Sequence, residues 1–435
     1  MPPVDWTARL TELAAEADVP GAVLGILSDG EETIAPYGVL SRATGVEVTA
    51  DSVFQVGSIT KPWTATMIMQ LVDEGRLALD DAVVKLLPGA PLPDQVSVRH
   101  LLTHTSGIDG DIFTDTGRGD DCVERYVGLL GDAAQLFPPG AAYSYCNAGF
   151  VLLGRIIEVL DGRTWDESLR ARLVEPLGLT GTVTLPEEAI LHRAAVGHAH
   201  TDGNPVSTWQ LPRSLGPAGL ITQRAGDLLT FAQHHLDAEG SLASMREPQA
   251  EIRGASGGLT AVGLTWRLHD WSGRRLFGHD GETISQLAYL RIDPEARLAV
   301  CLLTNSGNAP ALFQSIASEV FDQYVGVRVP PGPQPVEGVE PDDRHVGRYA
   351  RASVDIDVAR RGGALTMTYR ATGDRLAIAE EPVHEYELHP ADADGDRFVV
   401  QDAPGQPWTP VTFNRFPNGT PYLFAGGRVT PRTTP

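Results

Sequence analysis

The sequence predicts an α+β fold followed by a small all-β domain, and three observations carry that expectation. Strand-like runs stand at both ends of the first part of the chain with a helical block between them; a proline-rich stretch begins near residue 328; and short alternating runs follow it. At 435 residues the chain exceeds what one hydrophobic core usually organises, so two domains are expected.

Thr7 to Glu16 reads as a helix, and Ala22 to Ser28 and Thr33 to Val39 as a hairpin about the turn signal Asp29-Gly30. Helical patterns follow at Pro62 to Glu74, Val98 to Leu102, Phe150 to Leu160 and Ala225 to Leu236. Strand patterns return at Leu264 to Leu268, Arg275 to Phe277, Ile284 to Ile292 and Leu298 to Thr304, before a last helix at Ala311 to Val325. The result is an antiparallel sheet flanked by helices with an inserted helical block, not a regular βαβ alternation. Arg328 to Asp343 holds five prolines and no periodic apolar pattern, so it reads as a stiff linker. Gly347 to Gly426 then alternates in short runs such as Ala364 to Tyr369 and Arg397 to Gln401. The expected units are residues 1–327, a linker at 328–344 and a β-barrel-like domain at 345–435.

A formal net charge of −22 argues against nucleic acid and anionic membrane surfaces as partners. No run is long enough to span a membrane, and Met1 to Leu13 lacks the basic start and apolar core of a signal peptide, so a cytoplasmic location is expected. Cys122, Cys146 and Cys301 suggest neither a disulfide framework nor a zinc site. His198 with His200, and His234 with His235, lack partners at ligand spacing, so no metal or other cofactor is expected. Among 34 basic residues only Lys61 and Lys85 are lysines. Arginine stays protonated, whereas a desolvated lysine can act as a base.

Ser58 stands at a predicted helix start with Lys61 three residues on, a spacing that puts hydroxyl and amine on one face. A serine becomes a nucleophile when a base lies within hydrogen-bond reach, and a helix N-terminus offers backbone N–H groups to a developing oxyanion. Tyr145-x-Asn147 adds a phenol that could shuttle the serine proton, stabilised by Lys61, and an amide for the substrate and for Lys61. His279-x-Gly281 precedes a strong strand, and Gly281 permits an extended chain to approach what reads as a sheet edge. Singly, each motif also reads as an ordinary cap, a buried aromatic or a turn histidine.

Taken together and in this order, Ser58-x-x-Lys61, Tyr145-x-Asn147 and His279-x-Gly281 resemble the penicillin-recognising serine enzymes: class C β-lactamases, D-alanyl-D-alanine carboxypeptidases and family VIII esterases. Val98 to Gly107, Glu175 to Leu179, and Gly219 to Ile221 with Asp227 are further phrases typical of the group. The resemblance covers about Val19 to Val325 and implies a β-lactamase/transpeptidase-like fold, with Ser58 acylated, Lys61 and Tyr145 handling protons, and Asn147 and His279 orienting the substrate. It implies an oxyanion hole from the backbone N–H groups of Ser58 and Glu282. β-Lactamases of the group usually carry lysine where His279 stands, which favours an esterase, peptidase or transferase.

The expected activity is therefore acyl transfer from an ester, thioester or amide, with a small-molecule or peptidyl acyl substrate. Three readings share the Ser58 chemistry: a carboxylesterase, a D-stereospecific peptidase or amidase, and a peptide cyclase. The last rests on a resemblance to penicillin-binding-protein-type thioesterases, which release and cyclise nonribosomal peptides and carry a lipocalin-like appendix; a carrier protein would then be the donor. A non-catalytic acylation sensor is the alternative outside enzymology. The C-terminal domain is expected to shape the substrate entrance or the surface of a dimer, in a monomer or homodimer, so that deletion after Pro335 alters selectivity more than the reaction with a tiny ester.

Overall fold

The computed structural model describes residues 4–199, 202–377, 379, 381–402 and 407–433. Helix α1 (Trp6–Glu16) is capped by Asp5, whose carboxylate accepts from the amides of Thr7 and Ala8. A hairpin of β1 (Gly21–Ser28) and β2 (Glu31–Gly38) leads to the short strand β3 (Phe54–Gln55) and to helix α2 (Thr60–Asp73). Helix α3 (Asn147–Asp161), strand β4 (Thr222–Gln223) and helix α4 (Ala225–Leu236) complete the principal helical block. The chain then returns through β5 (Ala250–Glu251), β6 (Leu259–Val262), β7 (Arg267–Trp271), β8 (Arg274–Glu282), β9 (Leu287–Asp293) and β10 (Leu298–Thr304) to helix α5 (Ala309–Val325).

Eight of these strands form one antiparallel sheet in the order β2-β1-β10-β9-β8-β7-β6-β5. Both faces of its centre are covered. On β1, Ala22, Leu24 and Ile26 face the layer of α1 and α5, while Val23 and Leu27 face the helical block. β10 alternates the same way, with Leu298, Val300 and Leu302 on one side and Ala299, Cys301 and Leu303 on the other. Each large side chain so buried contributes about 1.5–3 kcal/mol.

Two expected strands are shifted. Leu264 to Trp266 forms a turn with Thr265 at φ 77°, and β7 starts only at Arg267. Thr283 to Gln286 likewise turns, with Ser285 at φ 57°, so β9 starts at Leu287.

After α5 ends on Gly326 in the left-handed region, residues 327–342 carry no regular structure. Strands β11 (Gly347–Arg351), β12 (Val354–Arg361), β13 (Ala364–Ala371), β14 (Val383–Pro390), β15 (Arg397–Val400), β16 (Thr409–Arg415), β17 (Pro421–Ala425) and β18 (Arg428–Pro431) pair in sequence order, all antiparallel. A bridge between Tyr349 and Arg432 brings the last strand back to the first, giving a nearly closed up-and-down barrel. Val354, Ile356, Val358, Leu365, Phe398 and Phe413 fill it.

The barrel does not hang free on its linker. Phe416, Phe424 and Val429 pack with Phe137, Tyr143, Tyr145, Ile252 and Val262 in one apolar cluster across the two domains. No helix among the described residues is long and apolar enough to cross a membrane.

Candidate active site

The turn that delivers Ser58 is built by its neighbours. Strand β3 pairs with β4, and Val56 N–H donates to Ile221 O, so the chain enters the 3₁₀ turn Gly57–Ile59 from a fixed direction. Gly57 has φ 50°, a left-handed conformation that glycine takes without cost. Helix α2 then begins at Thr60, and Lys61 falls one turn beyond Ser58 on the same face. Lys61 Nζ lies 2.9 Å from Ser58 Oγ and 2.7 Å from Ala218 O. Ser58 is half-buried and Lys61 fully buried.

Tyr145 closes the same pocket. Its ring centroid lies 4.8 Å from Lys61 Nζ, and its hydroxyl, which finds no hydrogen bond of full geometry, sits close enough to Ser58 for that contact to lower its pKa. Cys146 caps α3, with Sγ accepting from Gly149 N–H at 3.3 Å, and burial pushes its thiol up to about 12, so it is a structural residue. Asn147 opens α3 beside the pocket, but its amide donates to Asp111 Oδ1 at 3.0 Å and not to Lys61. The expected Asn147–Lys61 bond is replaced because Lys61 is satisfied by Ser58 and the Ala218 carbonyl.

His279 and Gly281 lie on β8, which is interior to the sheet and not an edge strand. The edge exists locally. The last β7–β8 pair is Arg267 with Gly278, and beyond it no strand among the described residues pairs with 279–282 on that side. A methyl group on Gly281 would overlap Val56 O and stand 3.0 Å from Ser58 N, so only glycine lets β8 cross the Ser58 turn this closely. The same crossing brings the backbone of Glu282 against Gly57. His279 is fully buried, with Nδ1 2.6 Å from Asp280 O and no protein partner for Nε2. Nδ1 must therefore carry the proton and Nε2 the lone pair.

Arginines that no motif announced surround these groups. Arg267 and Arg428 place their guanidinium carbons 5.5 and 5.0 Å from the Tyr145 ring centroid. Arg267 pairs with Asp280 at 2.9 Å, and Arg291 pairs with the same carboxylate at 2.6 Å. Arg428 comes from the last hairpin of the barrel and, with Arg351, holds Asp111. The hairpin also touches the tyrosine segment directly: Tyr145 N–H donates to Gly427 O at 2.9 Å, and Val429 N–H to Ser144 Oγ at 3.1 Å. The barrel therefore completes the site, which its sequence gave no chemical reason to expect.

Charge follows from this packing. Burial drives the Lys61 pKa well below its ordinary value, reinforced by Arg428 and Arg267 and opposed by Asp111. Burial raises the Tyr145 phenol, and Arg267, Ser58 and Arg428 offset this only in part. Burial, Arg267 and Lys61 hold His279 well below the usual histidine range. Burial alone would raise Asp280, but Arg291 and Arg267 outweigh it and keep the carboxylate ionised. The resting pocket thus favours a free amine, an intact phenol and a neutral imidazole.

Two histidines outside this pocket have structural partners. His198 Nε2 accepts from Arg42 N–H at 3.1 Å, and His235 Nε2 lies 3.0 Å from Thr66 Oγ1; His200 lies outside the described residues. Among the described residues no group of three or more His, Cys, Asp or Glu side chains is placed to hold a metal.

The family described as Beta-lactamase matches residues 6–324. Penicillin-binding protein 4 of Amycolatopsis lactamdurans is 44% identical over 346 residues, covering 75% of this chain and 91% of that protein. The D-aminopeptidase of Brucella anthropi is 25% identical over 343 residues, which is 76% of this chain but 63% of that longer protein. The crystal structure of SurE with D-Leu is 31% identical with a TM-score of 0.80, covering 98% of both chains and so including the barrel. Matched by the family over residues 6–324 and 44% identical to such a relative over three quarters of its length, the chain belongs to the beta-lactamase family of serine hydrolases.

Proposed function

We propose that this serine hydrolase forms an acyl-enzyme at Ser58 with a peptidyl ester, thioester or amide whose reacting residue has D configuration. The observation that carries the reading is the 2.9 Å contact between Ser58 Oγ and an amine that burial has stripped of its ordinary basicity. The free Lys61 amine takes the Ser58 proton as Oγ attacks the acyl carbon. The oxyanion is received by the backbone N–H groups of Ser58 and Glu282 at the crossing of β8 with the nucleophile turn. Tyr145 gives its phenolic proton to the departing nitrogen, oxygen or sulfur and is resupplied by the Lys61 ammonium. Deacylation runs the same relay in reverse, with water or an amine as the acceptor.

The acyl chain lies along the local edge at 279–282 as an added strand, with Asn147 against its amide. His279 Nε2, an acceptor, binds an N–H or O–H of the substrate. Arg267 and Arg291 on Asp280, and Arg351 and Arg428 on Asp111 beside Asp109, leave a cationic surplus near Ser58 that suits a substrate carboxylate. Two likenesses support D configuration: a relative named D-aminopeptidase and a related structure that holds D-Leu.

Release by the substrate's own amine, with a carrier protein as donor, is the second reading. It is favoured by the barrel hairpin, which walls the site beside Tyr145 and could shield the acyl-enzyme from water. Incubation with a peptidyl N-acetylcysteamine thioester ending in a D-residue separates the two: linear acid alone supports hydrolysis, and macrocycle supports cyclisation. A matched substrate ending in the L-residue that reacts equally fast overturns the stereochemical assignment. Multiple turnovers of p-nitrophenyl butyrate, absent in Ser58→Ala, dispose of a one-shot acylation sensor.

A further inference from the structure

The segment that presents Tyr145 is held from both sides, and one of the two clamps is a residue with no part in the chemistry described above. We infer that His104 is the positioning residue for Tyr145. Its carbonyl accepts from Ser144 N–H at 2.9 Å, and its Nδ1 accepts from Cys146 N–H at 3.0 Å, so one residue anchors the chain immediately before and after the tyrosine. Its ring stacks on the Tyr145 ring with centroids 4.3 Å apart and planes inclined by 27°.

The backbone conformation makes this double grip possible. His104 has φ 57°, which aims its carbonyl at Ser144 while its side chain returns beneath residue 146; histidine is among the few non-glycine residues enriched there. The imidazole is 1% exposed and also packs against Phe150 at 5.1 Å. Because Nδ1 accepts from an amide, the ring proton sits on Nε2, which has no protein partner. A second proton would have to enter at Nδ1 and would break the bond to Cys146. Burial, with the charged Arg267 and Arg428 nearby, holds the ring neutral and keeps that bond in place. On the other side of the segment Gly427 O holds the amide of Tyr145 itself. The phenol is therefore aimed by a ring below it and backbone bonds on either side, and a small rotation would carry its oxygen away from Ser58.

The inference rests on the proposed role of Tyr145 as proton relay, and a double-mutant cycle separates the two. Acylation by ethyl butyrate, whose alkoxide leaving group must take up the Tyr145 proton, is followed by release of ethanol over long incubations, which also reads the slow rates of crippled variants. His104→Asn tolerates the backbone conformation and keeps an oxygen near Cys146 N–H, but lacks the ring; His104→Phe keeps the ring and lacks the acceptor. Each is expected to slow acylation by about 10- to 100-fold with little change in the butyrate concentration at half-saturation. In a Tyr145→Phe background the same changes should have an effect of less than about twofold. Equal losses in both backgrounds, or none in either, overturn the role of His104 alone. A Tyr145→Phe enzyme that acylates at the unmodified rate overturns the relay and this inference together. If His104→Phe does not fold, His104→Asn completes the cycle.

Discussion

Arg428 Nε lies 2.5 Å from Asp111 Oδ2, an ion pair that ties the last hairpin of the barrel to the loop that also holds Asn147. Asp111 is 1% exposed at its side chain and also accepts from Arg351 at 2.9 Å. Removing the Arg428 guanidinium leaves the buried carboxylate to Arg351 and Asn147, and breaking a buried pair typically costs up to about 3–5 kcal/mol. Arg428→Ala should therefore lower the unfolding free energy by about that range, and Asp111→Asn combined with it should recover part of the loss. Urea titrations of the unmodified protein, the two single variants and the double variant measure this; additive losses would show that the pair is not coupled.

Deletion after Pro335 should abolish reaction with p-nitrophenyl acetate as well as with large substrates. The sequence alone suggested a larger effect on selectivity than on the reaction with a tiny ester, but the deletion removes the acceptor for Tyr145 N–H and uncovers Phe137, Tyr143, Ile252 and Val262. A truncated protein with unchanged acetate kinetics contradicts this.

Lys61→Met should be inactive yet more stable at neutral pH, by about 1–2 kcal/mol. The folded state holds Lys61 at a lowered pKa, so between that value and the ordinary 10.5 the unfolded chain binds more protons and draws the equilibrium towards itself. The stability of the unmodified protein accordingly declines as pH falls through this window. The gain from Lys61→Met should thus be small near pH 10 and larger at pH 7. Equal gains at the two pH values would falsify a buried free amine.

The acid limb of kcat/KM should follow protonation of Lys61. Arg428 pushes that pKa down and Asp111 pulls it up, so Arg428→Gln should move the limb to higher pH and Asp111→Asn to lower pH. Rate profiles on p-nitrophenyl butyrate decide the matter, and shifts of the same sign in both variants speak against Lys61 as the base.

Gly281→Ala should cost more than about 100-fold in kcat/KM, because its methyl group meets the backbone of Val56 and Ser58 and no side chain can yield. His279→Gln, which keeps an acceptor, should retain more activity than His279→Leu, by about 10-fold. If leucine serves as well as glutamine, Nε2 does not bind the substrate.

The sequence by itself determined what depends on short spacing. A spacing of three from Ser58 to Lys61 set both on one face of a helix start, and the apolar runs of β1 and β10 with the short alternating run of β13 declared strands before any partner was known. It misplaced the starts of β7 and β9 because Leu264 and Ile284 are apolar residues in turns, and composition cannot show the positive φ of Thr265 and Ser285. It was silent on Arg267, on the grip of His104, and on Arg428, which lies 317 positions from its partner Asp111. Those relationships arise only when sheet register, barrel closure and domain packing set distances between remote segments. Local spacing brought Ser58 and Lys61 together, and tertiary structure chose the charges that surround them.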